Sequence, residues 1–84
     1  MGLPKQPITL TVGQLEELHG KLAQLRHDIN NNLSLMIAAV ELIKHKPQMS
    51  ERMLATLGEQ PSRVSASLNK FSAEFERALG ITRP

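Results

Sequence analysis

The heptapeptide His27-Asp28-Ile29-Asn30-Asn31-Asn32-Leu33 is the stretch of this chain whose residue types could do chemistry. An exposed imidazole can act as a nucleophile towards phosphorus, provided its second nitrogen carries the proton and a neighbouring carboxylate can hold or accept it. Asp28 is the adjacent carboxylate. Asn31 follows His27 by four residues, so a helix would put the two on one face, one turn apart. Asn amides can position a water or a phosphoryl oxygen without adding repulsive charge. These are the parts that phosphoryl transfer through histidine needs. The stretch offers no second carboxylate for glycoside chemistry and no Ser-His-Asp arrangement. His19 and His45 lack helical metal-ligand spacing to His27, so no metal site is expected.

Three consecutive Asn residues are poor helix material, because each competes for local backbone hydrogen bonds. They nevertheless interrupt a strong helical pattern. With Leu15 as position a of a heptad, the a positions are Leu15, Leu22, Ile29, Met36 and Ile43, and the d positions are Leu18, Leu25, Asn32 and Ala39. In that frame His27 falls at f, farthest from the seam, Asp28 at g and Asn31 at c. Asn32 occupies a core position, either as a local rule broken for function or as a polar residue that sets register. After Ile29 the stripe widens through Leu33, Leu35, Val40 and Leu42, which suits a helix with neighbours on two sides.

The elements that position this stretch follow from local signals. Residues 1–10 carry Pro4 and Pro7 and read as an extended N-terminal arm. Thr11 and Gln14 form a capping box, so a first helix is predicted over 11–45. Lys44, His45 and Lys46 favour the negative end of its dipole, and Pro47 stops it, predicting a turn over 46–50. Ser50 is the predicted N-cap of a second helix over 50–79, with Leu54, Pro61, Leu68 and Phe75 at a and Leu57, Val64, Phe71 and Ala78 at d. Pro61, close to Gly58, predicts a kink or short break around 58–61. Gly80 is a natural helix stop, and 81–84 is a tail.

Two helices of similar length joined by a short turn make an antiparallel hairpin, so the fold class is all-α. One hairpin encloses no core. Two hairpins close a four-helix bundle, and a homodimer is therefore expected. An 84-residue chain without cysteine has no disulfides to compensate for a small core. The net charge of +2 is dispersed, and Phe71 and Phe75 are the only aromatic residues. Both features argue against a nucleic-acid partner. No apolar run reaches the roughly 20 residues of a membrane span, and no signal peptide is visible, so a cytoplasmic protein without membrane partners is expected.

The heptapeptide resembles the H-box of two-component sensor histidine kinases, especially the variant His-Asp-Φ-Asn-Asn-x-Leu. The resemblance extends over roughly residues 11–80. That family's dimerisation and phosphotransfer domain is a helical hairpin that dimerises into a four-helix bundle with an outward-facing His on its first helix. The resemblance implies that His27 is the phosphoacceptor, Asp28 the acid/base that polarises it or takes its proton, and Asn31 the residue that positions water or phosphoryl. Asn32 stands where many members have Pro, which puts the helix bend of those members in doubt here. No Gly-rich ATP lid is present, so the chain is not expected to be a self-sufficient kinase.

Three versions stay open: a stand-alone phosphotransfer protein of a phosphorelay, a piece of a kinase, and a degenerate relative that acts as a non-catalytic dimeric adaptor. The partner implied is the receiver domain of a response regulator or a sensor kinase. No cofactor is expected on this chain, with Mg²⁺ only on the partner regulator. In an antiparallel hairpin turning near 48, residues 66–70 lie across from His27, which makes Ser67, Asn69 and Lys70 candidates for a supporting shell.

Overall fold

The computed structural model describes residues 2–80, so the tail expected at 81–84 lies outside the described residues. Two long helices account for most of it: α1, Val12–His45, and α2, Ser50–Leu79, joined by a short 3₁₀ turn, Pro47–Met49. At ~1.5 Å per residue, helices of 34 and 30 residues span ~50 and ~45 Å. They pack as an antiparallel hairpin measuring 58 × 29 × 11 Å, a single layer two helices wide.

The helix ends are set by local chemistry. Thr11, in extended backbone, caps α1: its hydroxyl accepts from the Gln14 N–H at 3.1 Å, and the Gln14 side chain accepts from the Thr11 N–H at 2.8 Å. This reciprocal pair satisfies two donors that a bare N-terminus leaves open. At the far end the Lys46 N–H donates to the Leu42 carbonyl at 2.7 Å, and Pro47 then begins the turn. Ser50 does not cap α2. Met49 holds that position without a side-chain cap, and Ser50 is already helical at φ −56°, ψ −44°. The reason is continuity: the 3₁₀ turn runs straight into α2, with the Ser50 N–H donating to the Pro47 carbonyl. α2 stops at Gly80, whose left-handed φ of 69° is a conformation that glycine adopts without steric cost.

α2 continues through Pro61 without a break. Pro61 has no N–H for the Leu57 carbonyl four residues back. In the two turns before it, side chains bond back along the helix. The Thr56 hydroxyl donates to the Arg52 carbonyl at 3.2 Å, and the Gln60 amide donates to the Thr56 carbonyl at 2.9 Å. Gln60 is 1% exposed, and its Oε1 is buried without a partner.

A layer one helix thick has almost no interior. Among the described residues Asn32, Ala39 and Gln60 are the buried ones. The d residues Leu18, Leu25, Leu57, Val64, Phe71 and Ala78 are half-buried where the helices meet. The a residues of α2 fare differently: Leu54, Leu68 and Phe75 are exposed, as are Leu15 and Leu22 of α1. The hydrophobic stripe is thus split lengthwise. Its d half is covered within the hairpin, and much of its a half faces outward, widened on α1 by Leu33, Ile37 and Val40.

Candidate functional site

His27 sits near the middle of α1 with its side chain 71% exposed, as the f position predicts. Its Nδ1 lies 3.6 Å from Oδ1 of Asp28. That is longer than a hydrogen bond, so the carboxylate stands beside the ring as a neighbouring charge. The same Oδ1 accepts a 2.8 Å hydrogen bond from Nε2 of Gln24, one turn earlier on α1. Gln24 therefore holds the carboxylate in place, a role that its spacing of four residues from Asp28 on a helix could have signalled. Asn31 is exposed on the same face as His27, and Asn30 is exposed as well. Asn32 is buried at the helix–helix seam, as its d position requires.

Around α1 each residue turns by about 100°. Counting from His27, Gly20 stands ~20° round, Asn31 ~40°, Gln24 ~60° and Asp28 ~100°, all on the same side. That side forms one wall of a groove of about 280 Å³ between the helices. Gly20, Gln24, Leu25 and Asp28 line it from α1, and Ser67, Lys70 and Phe71 line it from α2. Of the three residues expected opposite His27, Ser67 and Lys70 reach this groove, and Asn69 is not among its lining residues.

The register is marked by a cross-helix ion pair, Nζ of Lys21 to Oε2 of Glu74 at 3.2 Å. Each step up α1 is a step down α2 in an antiparallel pair. One heptad along from Lys21 and Glu74, Asp28 is therefore level with Ser67, and His27 lies within one turn of Lys70. Lys21 also approaches Glu17 at 3.9 Å, so it serves two carboxylates. Among the described residues no group of His, Asp and Glu could hold a metal ion, and no helix is long and apolar enough to cross a membrane.

The arrangement combines an accessible imidazole, a held carboxylate beside one of its nitrogens, a neutral amide one turn on, and a neighbouring groove of mixed polar and apolar lining. No family model, curated protein or solved structure matches this chain.

Proposed function

We propose that this chain is a cytoplasmic histidine phosphotransfer module that works as a homodimer and exchanges phosphate with an aspartate on a response-regulator receiver domain. The observation that carries this reading is the pairing of a 71%-exposed His27 with the Asp28 carboxylate 3.6 Å from its Nδ1. With the proton on Nδ1 and directed at Asp28, Nε2 keeps its lone pair and faces solvent. That lone pair attacks phosphorus of the regulator's acyl phosphate. The N–P bond forms, the P–O bond to the regulator's aspartate breaks, and the electron pair leaves with that carboxylate. Asp28 stabilises the positive charge that develops on the ring, or takes the Nδ1 proton. Asn31 supplies an uncharged donor to the phosphoryl oxygens. The chemistry requires no cofactor on this chain, with Mg²⁺ on the regulator.

The dimer rests on exposed area. The chain exposes 6435 Å², whereas a compact monomer of 9.3 kDa exposes ~5,000 Å². A standard interface removes ~800 Å² from each partner, so the excess is ample for one. The exposed a residues sit on the side of α1 away from the His27 groove. A second copy packed on them closes a four-helix bundle and leaves His27 open to a regulator.

Incubation with a phosphorylated receiver domain is the test. Acid-labile, base-stable phosphate on the wild-type chain, lost in His27→Ala at unchanged helicity, is the expected result. Labelling that persists in His27→Ala removes His27 from the role. Binding of the receiver without any labelling turns the protein into a non-catalytic adaptor.

A further inference from the structure

We infer that α2 contains a hinge at Gly58–Pro61 with the buried Gln60 side chain as its latch, a device independent of the phosphotransfer chemistry proposed above. The turn half of the hairpin opens and closes on this hinge while the half that carries the groove stays packed. The structure holds the closed form, with α2 helical throughout.

Gln60 is 1% exposed and lies on the same side of α2 as Leu57 and Val64, towards α1. Its Nε2 donates to the Thr56 carbonyl at 2.9 Å, which fixes which end of the amide is the oxygen. Oε1 is then buried with no donor among the described residues. In water that oxygen is satisfied, so the closed form is less stable than the same packing with an apolar side chain, and opening relieves the deficit. A second copy on the a face approaches α2 from the side of Leu54 and Leu68 and does not reach this oxygen.

The backbone beside Gln60 is built to bend. Pro61 has no N–H, so the Leu57 carbonyl lacks its helical bond across this point, and the proline ring crowds it. Gly58, within one turn, leaves helical dihedrals more readily than any other residue type, and a Cβ there would meet nothing within 4 Å, so packing does not account for the glycine. The Thr56 hydroxyl bonds back to the Arg52 carbonyl, a contact that often bends helices. α1 offers little to hold this part of α2. Continuing the register from Asp28 and Ser67, Asn32 falls level with Arg63 and Ala39 with Thr56. The d line of α1 thus presents Asn32 and Ala39 opposite the hinge, where the groove half has Leu18 and Leu25. Interrupted backbone bonds and few apolar contacts mark segments that open locally.

The α2 wall of the groove, Ser67, Lys70, Phe71 and Glu74, follows Pro61 entirely. The Lys21–Glu74 ion pair and the Phe71–Phe75 ring contact, with centroids 5.8 Å apart, stand on that side too. The exposed a line crosses the hinge, with Leu54 before Pro61 and Leu68 after it. Opening therefore swings Leu54 and the turn relative to Leu68 and leaves the groove as it is.

Native-state hydrogen exchange of the full chain tests this, read amide by amide by NMR at urea concentrations below the unfolding transition. The chains compared are wild type, Gln60→Met, Pro61→Ala and Asn69→Ala. Met keeps the length and apolar stem of Gln60 without an unpaired oxygen, Pro61→Ala restores the missing N–H, and Asn69→Ala improves helix propensity on the outer side of α2 beyond the hinge. In wild type the amides of residues 57–64 should be about tenfold less protected than those of 67–75. Their exchange should barely change with urea, because a local opening exposes little surface. Gln60→Met should slow exchange at 57–64 about tenfold, the effect of one unsatisfied buried acceptor. Pro61→Ala should slow the same amides. Asn69→Ala, which stabilises a segment that stays helical when the hinge opens, should slow 67–75 alone.

Equal protection and equal urea dependence along α2 of the wild type overturn the hinge. Gln60→Met that slows 67–75 and leaves 57–64 unchanged shows that opening does not release Gln60, and overturns its role as the latch. Fast exchange at 57–64 that Pro61→Ala leaves untouched is fraying from the turn, and overturns the hinge as well.

Discussion

On one face of the hairpin Leu15, Leu22, Leu54, Leu68 and Phe75 stand exposed, with Leu33, Ile37 and Val40 continuing the patch towards the turn. The other face carries His27, Asn31, Gln24 and Asp28 beside a groove whose α2 wall holds Ser67 and Lys70. Both faces come from the same two helices, offset by half a turn. The apolar face has surface to bury and no polar group to direct what covers it. The polar face has directed groups, of which Asp28 is held by the Gln24 amide and Lys21 by Glu74. A layer 11 Å thick cannot bury the first face by itself, and on the reading proposed above the second one stays open to a partner. The comparison teaches that the surface available for association and the proposed phosphotransfer site occupy opposite sides of one thin layer. Each can then be disturbed without the other.

The largest effect is expected from placing charge on the apolar face. Leu22→Glu or Leu68→Glu would bury an unpaired carboxylate beneath a second copy, at a cost of about 3–5 kcal/mol. Sedimentation equilibrium should show the wild type as a dimer and each variant as a monomer or an unfolded chain, with a matching fall in thermal midpoint by circular dichroism. Ser34→Glu, on the exposed outer side of α1, should stay within about 0.5 kcal/mol of wild type. A wild-type chain that sediments as a monomer, with stability indifferent to Leu68→Glu, breaks the comparison, because the apolar face would then have no occupant.

The legible parts of this division are those written in local chemistry. The Thr11–Gln14 capping box, the stop at Gly80 and the Lys46–Pro47 turn each depend on residues a few positions apart, and each appears where the sequence puts it. The heptad frame places His27 outward and Asn32 inward, as the structure has them. A period, however, marks where the stripe lies and not which half of it meets which neighbour. The division into a covered d line and an exposed a line needs the second helix in place. Ser50 was misplaced for a related reason: a Ser before an acidic residue resembles a cap, yet the 3₁₀ turn had already begun the helical path. The Lys21–Glu74 pair carries no sequence signal, since the lysine could as readily face water, whereas the bond from Gln24 to Asp28 is written in their spacing of four residues on a helix.

A smaller effect, of opposite sign, is expected at Gly20 on the polar face. A glycine inside a helix costs roughly 0.5–1 kcal/mol relative to alanine, and a Cβ at Gly20 would meet nothing within 4 Å. Packing therefore gives no reason for it. Gly20→Ala should stabilise the fold by up to about 1 kcal/mol in urea titration. The same methyl group stands ~20° round α1 from His27, at the groove rim, where it would crowd an incoming partner. Faster unfolding of Gly20→Ala would mean that the groove wall is packed more closely than this geometry has it, and would blur the distinction between the faces.

The smallest effect concerns the pair that marks the register between the faces. Lys21 and Glu74 are about one-third and one-fifth exposed, so their attraction is partly screened, and a coupling of ~0.5–1 kcal/mol is expected. A double-mutant cycle with Lys21→Met and Glu74→Gln isolates that term from the packing of the lysine stem. The coupling should shrink as salt is raised, because the Debye length falls from ~10 Å at 0.1 M to ~3 Å at 1 M. Part of Lys21's own loss belongs to Glu17, at 3.9 Å, and the cycle removes that contribution because it is common to both Glu74 backgrounds. A coupling of zero at low salt would mean that the pair is a consequence of the register and not a cause of it. The short turn at Pro47–Met49 and the packed d line would then hold Ser67 level with Asp28 without help from the ion pair.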